Sequence, residues 1–245
     1  MNNISAIILA AGKGKRMNSK KINKVVNTLG NKQMILHTID LLDKLNIAQK
    51  IVVVGFAKKS VIDILKGGVI FAEQKKQLGT ADAVFCALKY LSKDAKDVLI
   101  LNGDDSAFYK EETIKNLFKK HNEKKSSLTF LTIKQDNPAG IGRIVRNSSG
   151  KVVEIIEEKD ASLEQKRINE VNPACYVFEV SFLKKYLSKI KKSNITNEYY
   201  LTGLIDLAIK NNEKIETVME KNLVWRGINT EDELREANRL FLQAK

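Results

Sequence analysis

The sequence predicts an α/β fold: a Rossmann-like, mixed and mainly parallel sheet flanked by helices, with a small antiparallel extension in its second half. Three observations carry this expectation. The short, uninterrupted apolar runs Ala6-Ile7-Ile8, Ile51-Val52-Val53-Val54 and Val98-Leu99-Ile100-Leu101 have the length and character of strands buried on both faces. Stretches with helical periodicity alternate with them. Beyond Asn137-Pro138 the runs shorten, and Asn147-Ser148-Ser149-Gly150 supplies a hairpin turn.

Taken in order, Ala6–Ile8 is the first strand and leads straight into a glycine-bearing loop. From Gln33 to Leu45, the residues Met34, Ile35, Ile39, Leu41, Leu42 and Leu45 share one helical face, and Ile51–Val54 follows as the second strand. Lys58 to Lys66 reads as a short helix, Val69–Phe71 as a strand, Thr80 to Leu91 as a helix and Val98–Leu101 as a strand. Glu111 to His121 is a helix and Ser127 to Ile133 a strand; Arg143–Val145, Val152–Ile156 and Ala174–Phe178 are strands of the mixed half. Ser181–Ile190 and Thr202–Lys210 are helices, Ile215–Val218 a strand, and Thr230–Leu242 an end helix that Thr230 caps, with Glu233 completing the capping box.

At 245 residues and 43% hydrophobic composition the chain can bury a sizeable core, most simply as one domain without repeats or linkers. Its net charge of +13 would ordinarily suggest nucleic acid or an anionic membrane. The lysines, however, are spread in pairs such as Lys58-Lys59 and Lys191-Lys192 and interleaved with acids, so neither partner is expected. A substrate with several phosphates suits the charge equally well. Cys86 and Cys175 lack any metal or redox spacing and read as buried thiols of a reducing compartment. With no signal peptide and no apolar run approaching membrane length, the expected location is the cytoplasm.

The chemistry begins at Leu9-Ala10-Ala11-Gly12-Lys13-Gly14-Lys15-Arg16-Met17, leaving the end of a core strand. Gly12 and Gly14 allow positive φ and let backbone N–H groups crowd an anion, while Lys13, Lys15 and Arg16 add positive charge. The loop is neither the dinucleotide fingerprint nor a P-loop, since Met17 falls where a third glycine would stand and no Gly-Lys-Ser/Thr closes it. The stretch resembles the signature of sugar-1-phosphate nucleotidyltransferases, Leu-Ala-Ala-Gly-x-Gly-Thr-x-Met followed by a Pro-Lys pair. Lys24 matches that lysine; Lys15 stands in place of Thr or Ser, and Asn23 in place of Pro.

The resemblance extends along nearly the whole chain and implies the nucleotide-diphospho-sugar transferase fold. Gln74-Lys75-Lys76-Gln77-Leu78-Gly79-Thr80-Ala81 matches the block that embraces the base: Gln74 and Gly79 would hydrogen-bond uracil, Thr80 would lie beside the nucleotide, and Gln77 would support the loop. Asn102-Gly103-Asp104 matches a Gly-Asp block whose aspartate binds magnesium, which implies that role for Asp104. Asp105-Ser106 there replaces an apolar residue and a proline, and Asn102 replaces a common Tyr. Gly142, Glu157 and Asn172 fall in three further blocks that line the sugar pocket, Pro173-Ala174 standing for the usual Thr-Gly. Thr202 belongs to a Glu-Tyr-Tyr-x-Thr-Asp block with Gly203 in the last place, and Asn229 matches the asparagine that completes the magnesium site.

The closest form of the resemblance is the uridyltransferase branch acting on N-acetylglucosamine-1-phosphate. It implies Mg2+ as cofactor, UTP and a sugar-1-phosphate as substrates, and Arg16, Lys24 and Asp104 as the catalytic groups, with Asn102 and Gly103 near the sugar. Residues 1–229 would form the nucleotidyltransferase domain and 230–245 a C-terminal helix. No hexapeptide repeat is present, so the left-handed β-helix acetyltransferase domain of that branch is not expected, and the oligomeric state stays open. Two alternatives remain: a nucleotidyltransferase for another sugar or alcohol phosphate with UTP, CTP or dTTP, and a nucleotide-binding module that has lost turnover.

Overall fold

The computed structural model describes residues 3–17, 21–221 and 223–243. The chain opens with β1 (Ile4–Ala10), and after the glycine loop a two-stranded ribbon, β2 (Thr28–Leu29) with β3 (Lys32–Gln33), leads into α1 (Met34–Lys44). β4 (Gln49–Val54), α2 (Lys58–Leu65), β5 (Ile70–Glu73), α3 (Thr80–Ala87) and β6 (Asp97–Asn102) complete the alternating half. Next come α4 (Glu111–Lys124), β7 (Leu128–Lys134), β8 (Gly142–Arg146), β9 (Val152–Ile156) and β10 (Glu170–Asn172). β11 (Tyr176–Glu179), α5 (Val180–Tyr186), α6 (Gly203–Lys210), β12 (Ile215–Glu220) and α7 (Glu231–Gln243) close the chain.

The main sheet has 10 strands in the order β5-β4-β1-β6-β11-β7-β10-β8-β9, with β12 pairing β7. β5, β4, β1 and β6 are mutually parallel, and β12 runs parallel to β7. β11 is antiparallel to both β6 and β7, while β10, β8 and β9 form the antiparallel extension. The expected fold class is therefore the observed one. Period-two alternation explains the two-sided core: Ala6, Ile8 and Ala10 face one apolar cluster with α1, α4 and α7, whereas Ile7 faces another with α3, α5 and α6. Ile7 and Ile8 are both fully buried, each contributing roughly 1.5–3 kcal/mol.

Three details depart from the sequence expectations. The β2–β3 ribbon was not foreseen, because strands of two residues carry no period. Glu170–Asn172 is a strand, although its polar ends gave no apolar run; β7 and β8 recruit it on either side. Cys175 is buried, but Cys86 is only half-buried, since it faces outward from α3 beside the exposed Phe85. The end helix packs against the first half of the chain. Ala237 and Phe241 are buried, and the Gly30 N–H donates to Asn238 Oδ1 at 2.8 Å.

Candidate active site

The carboxyl ends of β1 and β6, where an open α/β sheet holds its ligands, form the back wall of a cleft of about 830 Å³. Leu9–Gly14, Gln74–Gln77, Gly79, Thr80, Asn102, Asp104, Gly142, Glu157, Asn172, Thr202 and Asn229 all line it. β11 explains how Asn172 and its neighbours arrive there. It runs against β6, pairing Tyr176 with Ile100, so Asn172–Ala174, just before it, reach the edge at which β6 ends. A parallel strand would have delivered them to the far side of the sheet.

Lys24 ties three parts of the chain together. Its Nζ is paired with Asp104 Oδ2, donates to Ile228 O at 2.8 Å and lies 3.3 Å from Asn229 Oδ1. The carboxylate and the amide oxygen thus converge on a single positive charge across 205 residues of separation between Lys24 and Asn229. Asn229 is held from behind: Glu233 Oε2 accepts from both Asn229 N (2.6 Å) and Thr230 N (3.1 Å), and Thr230 Oγ1 accepts from Glu233 N (3.1 Å). This is the expected capping box, extended by one residue toward the site.

In the glycine loop only Gly14 needs its special freedom. Its φ is +54°, and a Cβ there would stand 3.2 Å from Lys24 Cβ; Gly12 has no positive φ and open space around it. Asn23, in place of proline, is buried and serves as a fastener. Its Nδ2 donates to Ala10 O and Phe56 O at 2.9 Å and to Gly12 O at 3.3 Å, its Oδ1 accepts from Val25 N, and its N–H donates to Ser60 Oγ. Lys13 is exposed on the rim. Arg16 is exposed on the turn Lys15–Met17 and does not line the cleft. Gly103 does not line it either; its buried N–H donates to Leu9 O at 3.0 Å and clips β6 to β1.

The Gln74–Thr80 loop is built largely on backbone. Gln77 Nε2 donates to Gln74 O, Tyr199 N to Leu78 O (2.8 Å), Ala81 N to Tyr199 O (2.9 Å) and Leu201 N to Thr80 Oγ1 (2.9 Å). Thr80 is therefore engaged with the segment that ends in Thr202, whose Oγ1 donates to Glu157 Oε1 at 3.0 Å. Asn172 is fixed by Tyr176 OH at Nδ2 and by Ala174 N, 3.1 Å from Oδ1. Ala174 adopts φ +57°, a left-handed conformation that costs a residue with a Cβ about 1–2 kcal/mol.

The sequence reading missed a polar cluster just past the Asp104 turn. Asn102 Nδ2 donates to Asp105 Oδ2 at 3.2 Å, and Ser106 Oγ donates to Asn102 O. Asp105 is buried with Oδ1 unpartnered among the described residues. Burial, then the adjacent Asp104 carboxylate, push its carboxyl well above the usual range. Asp105 and Ser106 were visible only as departures from a motif; their bonding to Asn102 depends on the turn itself. Tyr109 OH donates to Pro173 O at 2.6 Å and so joins this turn to the floor beside Asn172.

The chain matches the family model described as "Nucleotidyl transferase" over residues 5–244. It belongs to that family. Among nucleotidyl transferases it is 45% identical over 231 residues to the bifunctional protein GlmU of Caldicellulosiruptor saccharolyticus, covering 93% of this chain and 50% of that protein. It is 44% identical over 206 residues to GlmU of Francisella tularensis subsp. novicida, covering 84% and 44%. The chain spans about half the length of the curated relatives it matches. A Bacillus anthracis structure, assigned as a glucose-1-phosphate thymidylyltransferase in complex with a sucrose, shares the fold at 21% identity, with a TM-score of 0.81 and coverage of 97% and 95%. Among the described residues no helix is long and apolar enough to cross a membrane.

Proposed function

We propose that this nucleotidyl transferase joins UTP and a sugar-1-phosphate, N-acetylglucosamine-1-phosphate foremost, into a UDP-sugar with release of pyrophosphate. The observation that carries the proposal is the convergence of the glycine loop, Asp104, Asn229 and the Gly142–Glu157–Asn172–Thr202 wall on one cleft, tied by Lys24. The likeness to GlmU proteins supports the choice of sugar and base. In the reaction an oxygen of the sugar phosphate attacks the α-phosphorus of UTP, and the bond to the departing pyrophosphate breaks with its electron pair. No covalent enzyme intermediate is needed.

Lys13 and Lys24 would offset charge on the phosphates, an effect worth several kcal/mol when the donors are held in place. Arg16 would join them only by turning inward from its exposed turn. Asp104 and Asn229 would hold Mg2+: their oxygens are hard donors that already face one cation, Lys24 Nζ. Among the described residues no group of three or more His, Cys, Asp or Glu is placed to hold a metal ion. A bound magnesium would neutralise phosphate charge, needing few protein oxygens because it keeps waters and substrate oxygens. Two unpaired thiols are in keeping with a cytoplasmic enzyme.

The deciding assay is pyrophosphate release with magnesium across a panel of sugar and alcohol phosphates, each with UTP, CTP and dTTP. Release with UTP and N-acetylglucosamine-1-phosphate well above the other pairs is expected. Turnover with another phosphate reassigns the sugar, and nucleotide binding without any release would leave a non-catalytic module.

Glu157 gives a pH signature. Burial and Asp160 raise its pKa above the ordinary 4.5, while the Thr202 hydroxyl opposes them. The carboxylate is the form that accepts from sugar hydroxyls, so the KM for the sugar phosphate should rise as pH falls through that elevated pKa. Glu157→Gln should abolish this rise and leave the KM for UTP unchanged. A KM profile identical in the two proteins would remove Glu157 from the sugar contacts.

A further inference from the structure

Gln74 presents its side-chain amide in a single orientation. The residue is buried, 3% exposed, in the loop after β5, and its Nε2 donates to Gly79 O at 3.0 Å and to Asp82 Oδ2 at 2.7 Å. A carbonyl and a carboxylate can only accept, so both amide hydrogens are spoken for and the NH2 must face them. Oε1 lies on the opposite side of the amide, and it has no partner among the described residues of the cleft that Gln74 lines. Gly79 O is shared with the Ala83 N–H at 3.1 Å, which leaves the charged and shorter contact to Asp82 as the stronger hold. Asp82 sits in the first turn of α3, just past the Gln74–Ala81 block.

We infer that Asp82 is a positioning residue that sets base selection: by locking the Gln74 amide it makes the cleft offer an acceptor to the base, so that a pyrimidine with a ring N–H is taken and one without is refused. The inference rests on the reading above that the base lies against Gln74 and Gly79. Uracil and thymine carry N3–H, which Oε1 can accept. Cytosine carries a bare N3 lone pair, so two acceptors would meet. Rotating the amide to suit cytosine would turn Oε1 onto the Asp82 carboxylate and Gly79 O, exchanging two hydrogen bonds for two repulsions. Selectivity of this kind comes from leaving the wrong ligand with an unpaired buried polar group.

The test measures dissociation constants for UTP and CTP by calorimetry on the wild-type chain, Asp82→Asn and Asp82→Ala, together with Tm and the KM of the sugar phosphate. The wild type should prefer UTP strongly. In Asp82→Asn the new amide can accept from, or donate to, either orientation of Gln74, and the UTP:CTP preference should shrink by about tenfold or more. Asp82→Ala should shrink it less, since Gly79 O still holds one hydrogen, and neither change should move the sugar KM. A purely structural Asp82 would lower Tm, or weaken both nucleotides alike, with the ratio intact; that result overturns the inference. So does a wild-type chain that binds UTP and CTP equally. A wild type that binds UTP selectively yet releases no pyrophosphate sinks the proposed catalysis alone, because the binding ratio and its response to Asp82→Asn are still measured. Failure to bind either nucleotide overturns both.

Discussion

Replacing Lys24 by alanine, or Asp104 by alanine, is expected to lower kcat by roughly a hundredfold or more, the scale of losing one preorganised charge contact. The two substitutions fail for related reasons. Lys24 Nζ is paired with Asp104 and reaches Ile228 O and Asn229 Oδ1, so Lys24→Ala removes a positive charge and the tie that draws the Asn229 loop onto the β6 end. Asp104→Ala removes the carboxylate proposed to hold magnesium and leaves the largely buried ammonium with neutral partners. Charge grows as the pyrophosphate departs, so the loss should fall on kcat more than on the KM for UTP. Steady-state kinetics at saturating magnesium, with Tm as a folding control, make the check. Turnover within about threefold of wild type in either variant would refute the role given to that residue.

Gly79→Ala should be the most damaging single methyl in the chain. The native backbone there has φ +115° and ψ 177°, a region open essentially to glycine alone. A Cβ would fall 2.3 Å from Tyr199 O and 2.7 Å from Tyr199 N, and both atoms are tethered, the oxygen to Ala81 N and the nitrogen to Leu78 O. Neither can retreat without breaking a bond. Strain of about 1–3 kcal/mol and two forfeited hydrogen bonds of about 1 kcal/mol each sum to roughly 3 kcal/mol or more. That corresponds to a Tm lower by about 6–12 °C for a chain of this size, accompanied by weaker UTP binding because Gly79 lines the cleft in the loop proposed to take the base. A Tm within about 2 °C of wild type and an unchanged KM for UTP would disprove the account.

Much of this architecture could be read from local pattern. Ala6–Ile8, Ile51–Val54 and Val98–Leu101 announce themselves because strands buried on both faces need uninterrupted apolar runs, and the capping box at Thr230 and Glu233 needs only neighbours three apart. The candidate site was legible where it lies in compact motifs, since Leu9–Gly14 and Gln74–Thr80 each carry their geometry within a few residues. What escaped depends on distant partners. Asn23 stands out in the sequence only as a departure from the motif's proline, yet Ala10, Phe56 and Ser60 give it a task that no local pattern could reveal. Asp105 and Asp82 acquire roles only through Asn102 and Gln74. Arg16 is the reverse case: its place in a motif suggests a phosphate contact, whereas its turn leaves it exposed and outside the cleft lining.

The reversed course of β11 has a wider consequence. Its register is clamped by β6 on one side and β7 on the other, so where Asn172–Ala174 stand relative to the glycine loop follows from main-chain pairing and is indifferent to the side chains they carry. Under the proposed reaction, evolution could then refit the acceptor wall while the glycine-loop side stayed still, which gives a single scaffold a mechanical reason to diversify among acceptors without relearning how to handle a triphosphate.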